Sequence, residues 1–232
     1  MTKFSLKSLN WFEYFLIVGI ISINTLYCWI TNDWDALAII ATCTGVINVV
    51  LVAKGSILNY LFGVINVFLC SIIYFKSATY GLAALNALYF LPMQFIGWYN
   101  WRHNLVEEES DIVQSRKMNT KQMIFTLLVT ICSVVIGSLI LKSIGGNLPI
   151  IDAISTIIQI IAMFLMIKAF SEQWILWVVT NVINVVLFII LVIEGQEHSI
   201  LMLVMHLFYL INSINGWIQW RKSSCNVVTK QQ

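Results

Sequence analysis

The sequence predicts an all-α integral membrane protein. Hydrophobic residues make up 59% of the 232 residues, charged residues only 10%, and the mean hydropathy is +0.86. A soluble globular chain carries about 25% charged residues, which it needs to cover its surface. The apolar residues form long continuous runs close to the roughly 20 residues of a bilayer-spanning helix. A membrane β-barrel would instead have short alternating segments.

Eight apolar runs are candidates for spanning helices. The first follows Lys3 and Lys7, as in a signal peptide, but it is longer than an ordinary signal-peptide core and no small-x-small cleavage site follows it. It is predicted to be retained as an extra N-terminal helix, either crossing the bilayer or lying at its interface. The eight runs are Trp11–Ile30, Ala36–Val52, Ile57–Phe75, Tyr80–Trp101, Met123–Leu141, Ala153–Phe170, Trp174–Ile193 and Ser199–Trp220.

The basic residues predict the orientation, because cytoplasmic loops are enriched in Lys and Arg. With a cytoplasmic N-terminus and eight crossings, eleven of the thirteen Lys and Arg residues fall inside. A miscounted span would invert everything after it, so both termini are predicted to be cytoplasmic. The inside residues are Lys3, Lys7, Lys54, Arg102, Arg116, Lys117, Lys121, Lys168, Arg221, Lys222 and Lys230, and the outside ones are Lys76 and Lys142.

Three landmarks indicate an internal repeat. Residues 35–36, 63–67 and 97–102 recur in the same order as residues 152–153, 181–185 and 216–221. The shared letters are DA, VINV and GW-x-x-WR, and the offset drifts by only two positions. Two three-helix units with a single helix between them have the same orientation in the membrane. Parallel repeats of this kind build transporters with a midplane site between the units.

The repeat divides the chain into six parts. Its polar connector, with three consecutive Glu and Arg116-Lys117, is predicted to be a solvated link between the halves. The parts are an N-terminal segment with one helix (1–35), repeat 1 (36–102), a cytoplasmic connector (103–122), a linking helix with an outer loop (123–152), repeat 2 (153–221) and a cytoplasmic tail (222–232).

Polar side chains within the spans form the candidate substrate site, since such groups are costly in a bilayer and usually face the protein interior. The seventh span carries two Trp and two Asn at i, i+3, i+7 and i+10, which is one helical face. The third span has the equivalent face of the first repeat, and the fourth and eighth spans add amides and aromatics. The candidates are Asn59, Asn66, Gln94, Trp98, Trp174, Trp177, Asn181, Asn184, Tyr209 and Asn212.

These residue types suit a flat, polar, uncharged or weakly cationic ligand. Indole faces attract cations, and amides both donate and accept hydrogen bonds. Asn and Gln also join membrane helices without any ligand. The Trp residues next to Arg102 and Arg221 also fit an interfacial aromatic belt. That interpretation is preferred for most of Trp98, Trp101, Trp217 and Trp220, with Trp98 left open.

The spans also argue against several functions. No Asp or Glu lies at the centre of a core span, where proton-coupled carriers usually place one. No phosphate-binding loop or catalytic constellation is present. The protein is therefore predicted not to be an enzyme, and no cofactor or metal is expected. No nucleic-acid partner is expected either, because the basic residues lie at segment ends and form no patch.

Three stretches resemble PnuC-type vitamin transporters: residues 54–67, 97–101 and 172–184. The third looks like the WxxWxxxN pattern of that family, which maps onto Trp174, Trp177 and Asn181. The resemblance covers roughly residues 36–221. It implies a 3+1+3 fold similar to a full-length version of the SWEET sugar carriers, in a bacterial inner membrane.

The resemblance further implies import of nicotinamide riboside by facilitated diffusion, as a uniporter whose substrate is trapped by phosphorylation in the cytosol. It also implies a homo-oligomer, with a trimer as the expected state. Relatives carry thiamine or riboflavin, so another vitamin is the first alternative. A membrane receptor or scaffold that binds without translocating is the second.

Overall fold

The computed structural model describes residues 10–32, 34, 36–76, 83–106, 110–143, 145, 149–194 and 199–230. These are almost entirely helical, which confirms the all-α prediction. The helices are α1 (Trp11–Thr31), α2 (Ala36–Lys54), α3 (Asn59–Lys76), α4 (a π-helical turn, Leu85–Phe90, followed by Leu91–Arg102), α5 (Thr120–Ser143), α6 (Pro149–Ile167), α7 (Gln173–Ile193) and α8 (Ser199–Lys230). Each overlaps one predicted span, and residues 80–82 of the fourth span lie outside the described residues. Among the described helices, α1, α3, α5 and α7 are individually long and apolar enough to cross a membrane.

Two tight turns set helix ends that the apolar pattern did not predict. α2 ends before Gly55, whose φ of 76° lies in the left-handed region that glycine adopts without strain. α6 ends at Ile167 rather than at the predicted Phe170, because Ala169 has a φ of 56°. The two turns follow the first helix of each predicted repeat. At the other end of the chain, α8 continues past the predicted Trp220 to Lys230.

Six helices form a closed ring. α2 contacts α3, α3 contacts α4, α4 contacts α6, α6 contacts α7, α7 contacts α8, and α8 contacts α2. We call α2–α4 the first half and α6–α8 the second half. α3 and α7 take opposite positions in this ring, while α1 packs outside against α2 and α8, and α5 packs against α6. The duplication of the two halves stays a prediction from the sequence.

α1 packs lengthwise against the ring. Leu16 and Ile20 are completely buried against α2. The Glu13 carboxylate lies 3.7 Å from Nζ of Lys54. The start of α1 therefore lies beside the end of α2, so the two helices are antiparallel neighbours. This packing favours a crossing helix over one that lies at the bilayer interface.

An aromatic cluster closes one end of the ring, and we call it the plug. Its ring centroids are 5.1 Å apart for Tyr60 and Trp101, 5.7 Å for Trp101 and Trp220, and 6.1 Å for Trp174 and Trp220. All six ring helices contribute to the plug, so it fixes their relative positions at this end. Its members are Val52, Ala53, Tyr60, Trp101, Val113, Met163, Met166, Ile167, Ala169, Trp174 and Trp220.

Two indoles of the plug bond across the two halves. Nε1 of Trp101, in the first half, donates to the carbonyl of Met166 at 2.9 Å. Nε1 of Trp220, in the second half, donates to the carbonyls of Val52 at 3.2 Å and Ala53 at 3.0 Å. Each indole thus holds the last turn of the opposite half's first helix, where backbone carbonyls lack partners within the helix.

The aromatic-belt interpretation is wrong for Trp101 and Trp220, because both are buried in the plug. It fits Trp98 and Trp217, which are exposed and lie 5.2 and 5.8 Å from the guanidinium carbons of Arg102 and Arg221. In each half the exposed Trp and the buried Trp are three residues apart, about one helical turn. Of the two, only the later Trp faces the interior.

The connector also differs from its prediction. Rather than being a solvated link, it packs on the plugged end of the ring, and Val113, Ser115 and Met118 are buried. Residues 107–109, with the three Glu, lie outside the described residues. We call this end of the ring the connector end.

The cross-half indole bonds predict a stability difference. Trp101→Phe keeps a ring in the plug but removes the indole's bond to the carbonyl of Met166, which still accepts from the amide of Ala169 at 2.9 Å, so the loss is about 0.5–1.5 kcal/mol, the net value of one hydrogen bond. We expect a lower melting temperature in detergent. Trp217→Phe changes an exposed Trp of the second half and is the matched control, so it should leave the melting temperature unchanged. Equal shifts for both variants would contradict the assignment.

Candidate functional site

A first polar cluster joins the helices of the first half next to the plug. The amide of Gln94 lies over Gly63, where a Cβ atom would overlap it and would lie 2.8 Å from Nδ2 of Asn48. Asn48 Nδ2 in turn donates to the carbonyl of Asn59 at 2.7 Å. The close approach of α2, α3 and α4 therefore depends on the missing side chain of Gly63.

Two acceptors of this cluster are unmatched. Oε1 of Gln94 and Oδ1 of Asn59 are buried and have no donor among the described residues. The Asn59 amide nitrogen is already committed, since it donates to the carbonyl of Ser56 at 2.7 Å. A buried acceptor without a donor costs about 1–3 kcal/mol. A hydrogen-bond donor on a substrate would therefore gain the most binding free energy at these two oxygens.

A second polar cluster lies across the ring in the second half. Nδ2 of Asn181 donates to Oγ of Ser213 at 3.0 Å, and that hydroxyl donates to the carbonyl of Tyr209 at 2.7 Å. Oγ1 of Thr180 and Nδ2 of Asn215 are buried without a partner among the described residues. Asn181 occupies the repeat position of Gly63, so the two halves present different chemistry at equivalent places.

Three further candidates lie along α2, where side chains of α3 and α8 meet. A Cβ atom on Gly45 would lie 2.8 Å from Nδ2 of Asn66 and 3.0 Å from the hydroxyl of Tyr209, so α3 and α8 side chains meet there. Asn66 Nδ2 also donates to a backbone carbonyl of α2 at 2.7 Å. Asn212 Nδ2 donates to the carbonyl of Val49 at 2.9 Å, and its Oδ1 is buried without a donor in the described parts of the chain.

Asn184 extends the second cluster toward the other end of the ring. Its Nδ2 lies 3.4 Å from Nδ1 of His206. The His206 imidazole stacks on Phe188 with centroids 5.1 Å apart and meets Tyr209 edge-on at 5.9 Å. His206 thus lies beside two predicted site residues, Asn184 and Tyr209.

The predicted Trp residues do not join these clusters. Trp174 is 2% exposed and belongs to the plug, where a Cβ atom on Gly216 would lie 2.6 Å from its ring. Trp177 packs against the plug. Trp98 is 43% exposed beside Arg102. The structure therefore groups the predicted amides into separate clusters, Gln94 with Asn59, Asn66 with Tyr209, and Asn181 and Asn184 with α8. It places the WxxW part of the pattern at the connector end.

Asn48 and Ser213 were missed by the sequence interpretation. Asn48 had a usable signal, since residues 45–49 repeat the letters GVINV of residues 63–67. Two neighbouring helices thus carry the same pentapeptide and meet through its glycines and asparagines. Ser213 also had a usable signal, since the offset between Gly97 and Gly216 makes it the repeat position of Gln94, a predicted site residue.

A ring of apolar helices that buries amides at its centre and is closed at one end defines a membrane transporter. The sequence profile described as "Nicotinamide mononucleotide transporter" matches residues 35–222. The chain belongs to this family. Its members are multi-pass membrane transporters and not enzymes, which confirms both predictions.

Similar proteins agree with this assignment. The nicotinamide riboside transporter PnuC of Neisseria mucosa is 32% identical over 194 residues, which are 82% of this chain and 73% of the relative. The protein of the same name from Haemophilus influenzae is 30% identical over 215 residues, 91% of this chain and 88% of the relative. The crystal structure of the vitamin B3 transporter PnuC superposes with a TM-score of 0.82, at 31% identity and over 94% of both chains. The resemblance to PnuC-type transporters is confirmed.

The contact at Gly63 yields a prediction. Gly63→Ala would push Gln94 off α3, and overpacking of this kind costs about 1–3 kcal/mol. Gly137→Ala is the matched control, since its Cβ atom would lie 3.5 Å from the Cβ of Ala153, an ordinary contact. Both changes gain up to about 1 kcal/mol of helix propensity. In detergent, Gly63→Ala should therefore have a lower melting temperature than Gly137→Ala. The opposite order would contradict the close contact between Gly63 and Gln94.

Proposed function

We propose that the protein imports nicotinamide riboside across the bacterial inner membrane by facilitated diffusion. The observation that carries this proposal is the pair of relatives that are at least 30% identical over most of this chain and bear the name nicotinamide riboside transporter. The match of the solved vitamin B3 transporter over 94% of the chain supports the same conclusion.

The chemistry of the ring centre supports this substrate. Nicotinamide riboside offers a carboxamide and ribose hydroxyls, which are donors for the unmatched oxygens of Gln94, Asn59 and Asn212. Asn66, Asn181 and Asn184 can bond to its acceptors. The aromatic face of Tyr209 suits the pyridinium ring. We assign these seven residues to the site.

The family description names the mononucleotide, and the charge of the ring argues for the riboside in this chain. The Lys and Arg residues of the ring helices lie at helix ends or, in α8, beyond Trp220 of the plug, so none is available beside the central amides. A phosphate group moved into this apolar interior without a cationic partner would be strongly disfavoured. The riboside lacks that group.

The transport step is a rocking of the two halves about the central site. The connector end is cytoplasmic, because most basic residues of the described helix ends and turns lie there, whereas Lys76 and Lys142 lie at the opposite end. The plug is then the cytoplasmic gate. Trp174 and Trp177 act in that gate, and Trp98 acts at the bilayer interface.

The carrier is an uncoupled uniporter. No ring helix carries an Asp or Glu beyond its first turn, so the ring lacks the intramembrane carboxylate that proton relays use. Net uptake then depends on phosphorylation of the vitamin in the cytosol. The likeness to the family also supports a homo-oligomer in the bilayer, with a trimer as the proposed state.

Calorimetry on the purified protein tests the substrate. We expect nicotinamide riboside to bind, and nicotinamide mononucleotide, thiamine and riboflavin to bind far more weakly. Tighter binding of thiamine or riboflavin would overturn the assignment of nicotinamide riboside as the substrate, while the carrier function would stand. Binding of the riboside without movement into liposomes would indicate a receptor or scaffold instead.

Asn181 provides a residue-level prediction. Asn181→Ala removes an amide from the centre of the ring and should weaken riboside binding by about 1–3 kcal/mol, roughly 5- to 150-fold in Kd. Asn100→Ala is the control, because the Asn100 amide bonds to its own helix at the carbonyl of Ile96, at 2.9 Å. Calorimetry of both variants, after melting curves have confirmed that they fold, gives the comparison. Unchanged affinity in folded Asn181→Ala would remove this residue from the site.

A further inference from the structure

The connector between α4 and α5 has two arms that hold to different halves of the ring. The first arm, residues 104–113, is described except for 107–109 and bonds within the first half. The second arm, residues 115–118, bonds to the second half. Gln114 alone lies between the two arms.

The first arm is fixed to the turn between α2 and α3. The amide of Ile57 donates to the carbonyl of Asp111 at 2.7 Å, and the amide of Val113 donates to the carbonyl of Gly55 at 2.9 Å. The hydroxyl of Ser56 donates to Oδ2 of Asp111 at 2.6 Å. The arm also folds back onto the residues that follow α4. All of these contacts stay within the first half.

The second arm is fixed to the turn between α6 and α7. The amide of Arg116 donates to the carbonyl of Ala169 at 2.8 Å, and the amide of Ser171 donates to the carbonyl of Arg116 at 2.9 Å. The amide of Met118 donates to Oε1 of Glu172 at 3.2 Å. This arm therefore ties the second half to a segment that is anchored in the first.

The short distance between the anchors limits how far the halves can separate. Val113 is bonded to the first half and Arg116 to the second, so three residues of chain join them. An extended chain covers at most about 3.3–3.6 Å per residue, which is roughly 10 Å here. Val113 is also part of the plug, so the tether acts directly where the ring is closed.

We infer that the second arm is a releasable clasp, which must detach from the turn between α6 and α7 before the plug opens. This inference rests on the proposed transport function for its physiological meaning. The first arm stays in place, because its backbone hydrogen bonds lie in the half to which it is covalently joined. After release, the second arm remains attached to α5 and can bind again when the plug closes.

Two engineered disulfides test the clasp. Arg116 and Phe170 form a parallel bridge pair, and Ser56 and Ile112 form an antiparallel one. Opposed residues of such pairs have Cα separations within the range that a disulfide accepts. Arg116→Cys with Phe170→Cys would lock the second arm to its turn. Ser56→Cys with Ile112→Cys would lock the first arm and is the matched control. Both pairs are made in a chain whose natural cysteines are replaced by Ser or Ala.

Riboside uptake into proteoliposomes is then compared before and after oxidation. We expect the locked second arm to lose uptake on oxidation and regain it on reduction, while the locked first arm transports equally in both states. Uptake that continues in fully cross-linked Arg116→Cys/Phe170→Cys protein would overturn the clasp. Loss of uptake on oxidation of the control pair alone would show that the first arm, and not the second, must detach, which would also overturn the proposal.

A second measurement needs no substrate and separates failure of the clasp from failure of the proposed function. Met163 is buried in the plug, 3% exposed, so a thiol placed there by Met163→Cys reacts with a water-soluble maleimide only when the plug opens. In the chain that also carries the Arg116→Cys/Phe170→Cys pair, labelling of residue 163 is followed by mass spectrometry of its own peptide, because the reduced pair also reacts with maleimide. That labelling should be slow when oxidised and faster when reduced. Equal labelling rates would overturn the clasp, whichever vitamin the protein carries.

Discussion

The structure depends on the indoles of Trp101 and Trp220, which donate hydrogen bonds to three backbone carbonyls in the opposite half. In a bilayer the helices gain little from the hydrophobic effect, so packing and interhelical hydrogen bonds hold them together. These bonds use carbonyls in the last turns of α2 and α6, and those of Val52 and Met166 also accept from amides in the turns that follow. They close the ring at the connector end, while Tyr89 and Asn212 join the two halves further along the ring helices through backbone carbonyls of the opposite half.

The bilayer also explains the chemistry at the ring centre, because it offers no water to buried polar groups. Each buried amide has either a partner on a neighbouring helix, as Asn181 has in Ser213, or an unmatched atom, as Gln94 has. Matched amides fix the distances between helices, and unmatched ones can recognise a substrate. The interior carries neither a carboxylate nor a cation, so it suits a neutral or weakly cationic nucleoside better than a phosphorylated one.

Much of the fold was predictable because each helix that crosses a bilayer needs a run of about 20 mainly apolar residues, which is visible in the sequence. The eight apolar runs predicted the helices, and helical spacing placed Asn66, Asn181 and Asn184 on interior faces. Spacing could not decide between Trp98 and Trp101, since the two differ by one turn and both adjoin Arg102. The packing of the connector was also hidden, because backbone hydrogen bonds to the turns at Gly55 and Ala169 leave no trace in composition.

Counterflow in proteoliposomes tests the central claim most directly. Vesicles loaded with unlabelled nicotinamide riboside are diluted into a trace of the labelled compound, with no proton, sodium or electrical gradient. An uncoupled carrier with a neutral central site should accumulate the label transiently and then release it as the internal pool runs down. Absence of label uptake in vesicles whose protein binds the riboside, or uptake that requires an imposed ion gradient, would contradict facilitated diffusion through this ring.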